Sequence, residues 1–318
     1  MLAIGIDLGG TNIKSALVDD DKGIVKKFSL KTEAVKGRDH VLSRLSQAIQ
    51  KAADAADEQP VGVGMGSPGM ISLDRTTVQN PPNLPGWESV NVSNEIQQRT
   101  GFSCLVENDA NLAALGSHHF GKGQDFDHFI MITLGTGVGG GIIFDGDLYR
   151  GTTGAAGELG HVIINYHGPL SNSNTRGGIE AYLGQRFLSR YAADRIRHDS
   201  SNPLYKKFAN RFDDLEPIDL YDAANDGNEL AQEILYSSGE KLGYAIVNYI
   251  HILDIRKIIV SGGVSQAGDW ILEPARKTAY KYMMATFHDG FELIHESLGN
   301  KAALLGAASL AFKQEVRT

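Results

Sequence analysis

Apolar residues alternate loosely along residues 2–8 (LAIGIDL) and again along 13–19 (IKSALVD), which predicts two strands joined by a tight turn through Gly9-Gly10-Thr11-Asn12. The period then changes. Val41, Leu42, Leu45, Ala48 and Ile49 recur at three and four residues, predicting an amphipathic helix over about 39–56 that ends before Pro60. Residues 61–65 read as a buried strand followed by a loop, SPGMISL. A further strand at 103–106 runs into Asn108-Asp109-Ala110-Asn111, where Asn108 or Asp109 suits the N-cap of the helical run LAALGSHHF. Helices are also predicted at about 180–196, 227–251 and 302–314, and a strand at 256–260 (RKIIV) ends in the glycine turn Ser261-Gly262-Gly263-Val264. The segment 197–219 is polar and reads as loop-rich. Strands alternating with helices put the chain in the α/β class.

The opening hairpin has an echo. Residues 4–19, IGIDLGGTNIKSALVD, lie without a gap over 130–145, IMITLGTGVGGGIIFD, so that Asp7 falls on Thr133 and Gly9-Gly10-Thr11 on Gly135-Thr136-Gly137. Two glycine-rich hairpins can coincide by chance. The alternative is a duplicated α/β domain with one glycine loop in each copy.

Composition narrows the function classes. The chain has 318 residues, room for about two domains of ordinary size. Its net charge of −8 argues against a nucleic-acid surface, which needs clustered cations to neutralise phosphates. No apolar run approaches the roughly 20 residues of a membrane span. The N-terminus has no basic region ahead of its apolar residues, so a cytoplasmic protein is expected. The single cysteine, Cys104, can form neither an internal disulfide nor a multi-cysteine zinc site. Glycine is abundant, 37 residues, while proline is scarce, nine, a balance that suggests close backbone approaches rather than disorder.

Two familiar phosphate motifs fail on inspection. Leu8 to Ser15 ends in Lys-Ser, but Leu8 and Ile13 stand where a P-loop needs glycine. Gly135-x-Gly137-x-x-Gly140 has dinucleotide spacing, yet the next residues, Gly141 to Gly146, have strand and turn rather than helix composition. The loops instead offer backbone N–H groups and the hydroxyls of Thr11 and Thr136, the makings of anion-binding nests. Asp7, just before the first loop, would repel phosphates unless Mg²⁺, held through water, bridged them; otherwise it is a turn former at a strand end. Asp109 is the candidate base, a carboxylate kept ionised at a helix N-terminus and able to take a proton from an attacking hydroxyl, although taken alone such a segment is more often just a helix cap. In Gly157-Glu158-Leu159-Gly160-His161 a carboxylate and an imidazole stand three residues apart, either as a binding pair or as a structural contact. Glu180 opens a helix and complements its dipole. Trp87 anchors the turn-rich loop NPPNLPGW, in which Asn83 is placed to bond a polyol; His118 and His119 receive no role.

Together GIDLGGTNIK, GSPG (66–69), NPPNLPGW, ENDAN, LGTGVGGG, GELGH, EAY (180–182) and SGG, in order and over essentially the whole chain, resemble the ROK family of bacterial sugar kinases, and most of all its glucokinase members. The resemblance implies duplicated actin-like ATPase (ribonuclease H-like) domains with a cleft between them, a small one of residues 1–112 plus 302–318 and a large one of 113–301. It implies ATP-dependent phosphorylation of a hexose, first of all glucose to glucose 6-phosphate, with ATP and Mg²⁺ as cofactors. Asp7, Gly9, Gly10, Thr11, Asn12, Lys14, Gly135, Thr136, Gly137, Gly262 and Gly263 would serve ATP and its phosphates, Asp7 reaching Mg²⁺ through water. Gly66, Asn83, Asn108, Asp109, Glu158, His161 and Glu180 would serve the sugar, with Asp109 as the catalytic base. N-acetylmannosamine kinases share the same motifs, and fructokinase and allose kinase are further options. A non-catalytic sugar-responsive regulator is the alternative from another class, disfavoured because the first hairpin starts at residue 2 and leaves no room for a DNA-binding module. The family implies a homodimer with no nucleic-acid or membrane partner.

One departure is large. The family places a cysteine-rich zinc segment between GELGH and EAY, and its three cysteines fall here on Ser171, Ser173 and Gly178. His161 alone cannot hold structural zinc. A zinc-free protein is therefore expected, with the 165–178 loop held by hydrogen bonds or packing.

Overall fold

The computed structural model describes residues 1–317. The chain forms two compact units, the first from Met1–His128, Gly141–Gly157 and the segment from Leu298 onward, the second from Phe129–Gly140 and Glu158–Ser297.

The first unit opens with three antiparallel strands, β1 (Leu2–Leu8), β2 (Asn12–Asp19) and β3 (Gly23–Lys31), followed by α1 (Arg38–Ala53) and β4 (Val63–Ser67). A small sheet of β5 (Met70–Ile71), β6 (Thr77–Gln79) and β7 (Ser89–Asn91) leads through α2 (Val92–Thr100) to β8 (Cys104–Asn108) and α3 (Asp109–Phe120). The main sheet has the order β3-β2-β1-β4-β8, with β4 and β8 parallel to β1.

The two faces of β1 explain how this sheet is covered. Ile4, Ile6 and Leu8 join Leu42, Leu45 and Ile49 of α1 in one core, while Ala3 packs in a second core with Leu304, Ala308 and Phe312 of the C-terminal helix. That second face is made of small residues because the helix backbone lies against it. A Cβ at Gly5 would run into the carbonyl of Leu304, and one at Gly64 into that of Ala307.

The second hairpin, β9 (Phe129–Leu134) and β10 (Val138–Phe144), is followed by β11 (Asp147–Leu148). The helices α4 (Glu180–Leu183), α5 (Gln185–Arg197), α6 (Pro203–Phe208), α7 (Pro217–Asn225) and α8 (Glu229–Leu253) precede β12 (Lys257–Ser261). Then come α9 (Asp269–Tyr282), β13 (Glu292–His295) and α10 (Ala302–Arg317), the C-terminal helix of the first unit. The second sheet, β11-β10-β9-β12-β13, repeats the first element for element: a strand trio begun by a glycine hairpin, then two strands parallel to the hairpin's first. The echo in sequence is therefore an echo in topology.

Two local expectations change. The helix predicted over 180–196 breaks at Gly184, which is extended (φ −60°, ψ 134°) and caps α5. The loop-rich reading of 197–219 gives way to α6 and the start of α7, each begun by a proline at its first turn behind Asn202 or Glu216. Among the described residues no helix is long and apolar enough to cross a membrane.

Candidate functional site

In the first unit three parallel strands deliver chemistry to one sheet edge. Asp7, Gly66 and Glu107 are register neighbours across β1, β4 and β8, and Ser67 pairs with Asn108 one step further on. Ligands of open α/β sheets bind at such carboxyl ends of strands. Across the hairpin Lys14 pairs with Asp7, its Nζ 3.1 Å from Oδ2. The hairpin closes with the Gly9 N–H on the Asn12 carbonyl at 3.1 Å, and Thr32 braces it by donating its hydroxyl to the Gly9 carbonyl at 2.6 Å and its N–H to the Thr11 carbonyl at 3.0 Å. Thr11 is exposed at the tip. A Cβ at Gly10 would press on the Cβ of Asn83 at 2.8 Å, so the polyol-binding candidate rests directly on the first glycine loop. Trp87, 2% exposed, anchors the Asn83 loop in the core as expected.

Asn108, not Asp109, is the N-cap of α3. Its Oδ1 accepts the N–H groups of Ala110 at 2.9 Å and Asn111 at 3.4 Å, which leaves its amide nitrogen as the donor available to a sugar oxygen. Asp109 is exposed in the first turn, with Oδ1 accepting the Ala110 N–H at 2.9 Å. Behind the pair stands a residue that sequence reasoning passed over. Glu107 is fully buried; its Oε1 accepts the Asn108 N–H at 2.9 Å and the Asn111 amide at 3.1 Å, and its Oε2 lies 2.7 Å from Arg150 Nε and 3.1 Å from Arg75 Nε. Arg150 is itself buried and donates to the carbonyls of Leu73 at 2.6 Å and Ser72 at 3.0 Å. Burial lowers its pKa, and Glu107 opposes that shift. A charged residue directly after the apolar run Cys104-Leu105-Val106 was the available signal.

The second unit holds the other loop. The Gly135 N–H donates to the Gly137 carbonyl at 2.9 Å, and the Gln185 N–H to the Gly135 carbonyl at 2.9 Å. Glu180 sits against this loop, with Oε2 accepting the Val138 N–H at 3.1 Å and its carboxylate in the space that a Cβ at Gly137 would need. Thr136 is exposed and borders a cavity of about 500 Å³ whose wall includes Gln185, Arg186, Arg190, Arg197 and Glu216. Gly262, at φ +100°, lies where a Cβ would strike the carbonyl of Leu134, so the third glycine turn follows the end of β9 at backbone contact; Gly263 beside it is exposed.

Glu158 precedes and His161 ends a single 3₁₀ turn, with Nε2 of the imidazole 3.5 Å from Glu158 Oε2. Tyr249, also passed over, is buried and donates its hydroxyl to the Leu159 carbonyl at 2.7 Å, pinning that turn. The 165–178 loop is held by hydrogen bonds. Ser171 Oγ lies 2.8 Å from Ser173 Oγ, which lies 3.0 Å from His161 Nδ1, and the backbone N–H groups of Ser171 and Gly177 donate to the carbonyls of Thr175 and Pro169.

Among the described residues no three His, Cys, Asp or Glu side chains are grouped to hold a metal ion. That arrangement does not fit a structural zinc, which takes four protein ligands. It does fit Mg²⁺, which binds through one or two carboxylates, waters and substrate phosphates, and Asp7 is the carboxylate at the first loop.

Comparison with known proteins identifies the family. The model of the ROK family matches residues 3–314. A glucokinase of Thermotoga maritima is 36% identical over 307 residues, 96% of each chain, and one of Streptomyces coelicolor is 33% identical over 98% of this chain and 97% of its own. Among solved structures, a ROK family glucokinase from Streptomyces griseus in complex with glucose and AMPPNP superposes with a TM-score of 0.84 at 33% identity, over 98% of this chain and all of its own. With the motifs in place on a repeated α/β sheet, the chain belongs to the ROK family and has its duplicated actin-like ATPase fold.

Proposed function

We propose that the protein is an ATP-dependent hexose kinase that transfers the γ-phosphoryl group of ATP to a hydroxyl of glucose, giving glucose 6-phosphate. The observation that carries the reading is the carboxyl end of the first sheet, where Asp7 pairs with Lys14 across the β1–β2 hairpin, the base candidate Asp109 follows β8 at the start of α3, and Asn83 rests against Gly10 of the first loop. Relatives 31–36% identical over nearly their whole length bear the name glucokinase.

In this reading Asn83, Asn108, Asp109, Glu158, His161 and Glu180 bond the sugar hydroxyls. Gly66 keeps the wall beside Asp7 free of a side chain. Asp109 accepts the proton of the attacking hydroxyl as the O–P bond forms. The N–H groups and hydroxyls of the Gly9–Asn12 and Gly135–Gly137 loops, with Lys14, receive the phosphate oxygens, and Gly262 and Gly263 flank the nucleoside. Bound Mg²⁺ would neutralise phosphate charge, held at Asp7 through water. Glu107 positions the reacting segment without touching substrate. We further propose a cytoplasmic protein that works as a homodimer.

An ADP-release assay across glucose, mannose, fructose, N-acetylglucosamine and N-acetylmannosamine tests the reading. Glucose is expected to give the highest kcat/KM, and Asp109→Asn to keep sugar binding while losing about 10²–10⁴-fold in turnover. Undiminished turnover in that variant, or ADP release indifferent to every hexose, overturns it.

A further inference from the structure

A buried serine ties two strands together at the carboxyl end of the second sheet. β12 lies between β9 and β13, with Ser261 opposite Thr133 and Val260 opposite His295. The chain leaves β12 through Gly262 and Gly263 and enters a 3₁₀ turn at Val264–Ala267. Ser265, in that turn, is fully buried, and its Oγ lies 2.7 Å from the Gly262 carbonyl oxygen and 3.1 Å from His295 Nε2.

One arrangement of protons suits these three groups. A carbonyl oxygen has no proton of its own, so at 2.7 Å the Ser265 hydroxyl donates to Gly262. A hydroxyl has a single proton, so the His295 nitrogen 3.1 Å away must be an N–H that donates to Ser265 Oγ; a bare ring nitrogen would set lone pair against lone pair. Donors therefore run from β13 to the turn after β12, His295 to Ser265 and Ser265 to the Gly262 carbonyl.

That carbonyl shares a peptide plane with the Gly263 N–H. No peptide bond among the described residues is cis, and in a trans peptide the C=O and the N–H point in opposite directions. Drawing the carbonyl in to a buried hydroxyl turns the N–H outward. Gly263 is exposed, and its N–H has no acceptor among the described residues. A peptide between two glycines, with no Cβ on either side to restrict it, rotates readily unless something holds it.

We propose that His295 and Ser265 are positioning residues that lock the Gly262–Gly263 peptide so that the Gly263 N–H stands ready to donate to an acceptor atom of the bound nucleotide. The proposal rests on the reading of Gly262 and Gly263 as flanking the nucleoside. With the peptide held in advance, binding spends nothing on ordering it, and a donor that finds no partner in the protein finds one in the ligand. Nucleotide affinity is then set in part by a histidine on β13, and sugar affinity is not.

Calorimetric titration with AMPPNP and with glucose, together with steady-state kinetics in both substrates, tests this brace. Ser265→Ala is expected to weaken AMPPNP binding and raise the ATP KM about tenfold, with the glucose Kd and KM unchanged. His295→Leu, a change at a half-buried position, should weaken AMPPNP in the same direction, and His295→Gln, whose side-chain amide can still donate to Ser265, should restore it. A residue serving stability alone would lower the melting temperature and leave the two affinities in their wild-type ratio. Unchanged AMPPNP affinity in Ser265→Ala and His295→Leu, an equal loss for glucose, or no recovery in His295→Gln overturns the proposal. The kinase reading fails differently, in a wild type that turns over no hexose; a selective loss of AMPPNP binding in Ser265→Ala would support the brace even then.

Discussion

Replacing Glu107 by glutamine changes one oxygen of a buried carboxylate into an NH₂ group, and the surroundings offer it nowhere to go. Both carboxylate oxygens face donors: Arg150 and Arg75 on one side, the Asn108 N–H and the Asn111 amide on the other. Either orientation of the new amide sets donor against donor and leaves the buried Arg150 without its counter-ion. Removing one partner of a buried pair costs about 3–5 kcal/mol. The lower end applies here, because Arg150 keeps its bonds to the Leu73 and Ser72 carbonyls and Arg75, 24% exposed, can turn to water. We therefore expect a loss of about 3 kcal/mol from the first unit. The chain has two tryptophans, so in a Trp270→Phe background the buried Trp87 reports that unit alone in urea unfolding. The midpoint should fall with an unchanged slope. Joint replacement Glu107→Leu with Arg150→Met should recover part of the loss, because an ion pair removed whole leaves no stranded charge. Because Glu107 holds the backbone of Asn108 beside Asp109, turnover per folded molecule should drop about tenfold as well. A midpoint equivalent to within about 0.5 kcal/mol of wild type would refute the energetic argument, and undiminished turnover the positioning one.

The further outcomes concern individual sites. Gly137→Ala should raise the ATP KM about tenfold without unfolding the protein, since the new methyl pushes Glu180 off the Val138 N–H and loosens the loop; an unchanged ATP KM would count against that loop's role. Cys104 is buried, and burial pushes its thiol up to about 12, so a thiol reagent at pH 8 should label it only after unfolding. The same shift means that its contribution to stability is complete below the unfolded value of 9.0 and is lost as pH rises through about 12, which alkaline unfolding curves of wild type and Cys104→Ala would compare. Elemental analysis should find far less than one zinc per chain, and EDTA should leave the melting temperature unchanged while stopping Mg²⁺-dependent turnover; about one zinc per chain would overturn the expectation of a zinc-free protein.

Much of the fold was readable without coordinates because its signals are local. The helix expected at about 39–56 is α1 at Arg38–Ala53, the strand at 103–106 is β8 at Cys104–Asn108, and the two glycine hairpins are where the echo puts them. Period, cap and turn chemistry act over a few residues, so a single chain displays them. Where local signals were weak the reading missed, as with the mostly exposed, lysine-bearing edge strand β3 and with α6, whose six residues are too few to show a period and whose Asn202-Pro203 start was the one cue.

The rest depended on register between distant segments. Nothing near Glu107 in sequence announces Arg75 or Arg150, and the strand pairing that brings β8 beside β4 decides where its carboxylate lies. The glycine excess was legible as a demand for close backbone approach, but only the tertiary structure separates its uses. Gly10 and Gly137 make room at the loops, whereas Gly64 and Gly306 let α10 lie on the sheet and on α3, at the carbonyls of Ala307 and Leu112. The single cysteine excluded a multi-cysteine zinc site from composition alone. That two serines would meet His161 in its place was decided by the folded 165–178 loop, because a hydrogen bond needs its partners within a few tenths of an ångström and residue order does not specify distance.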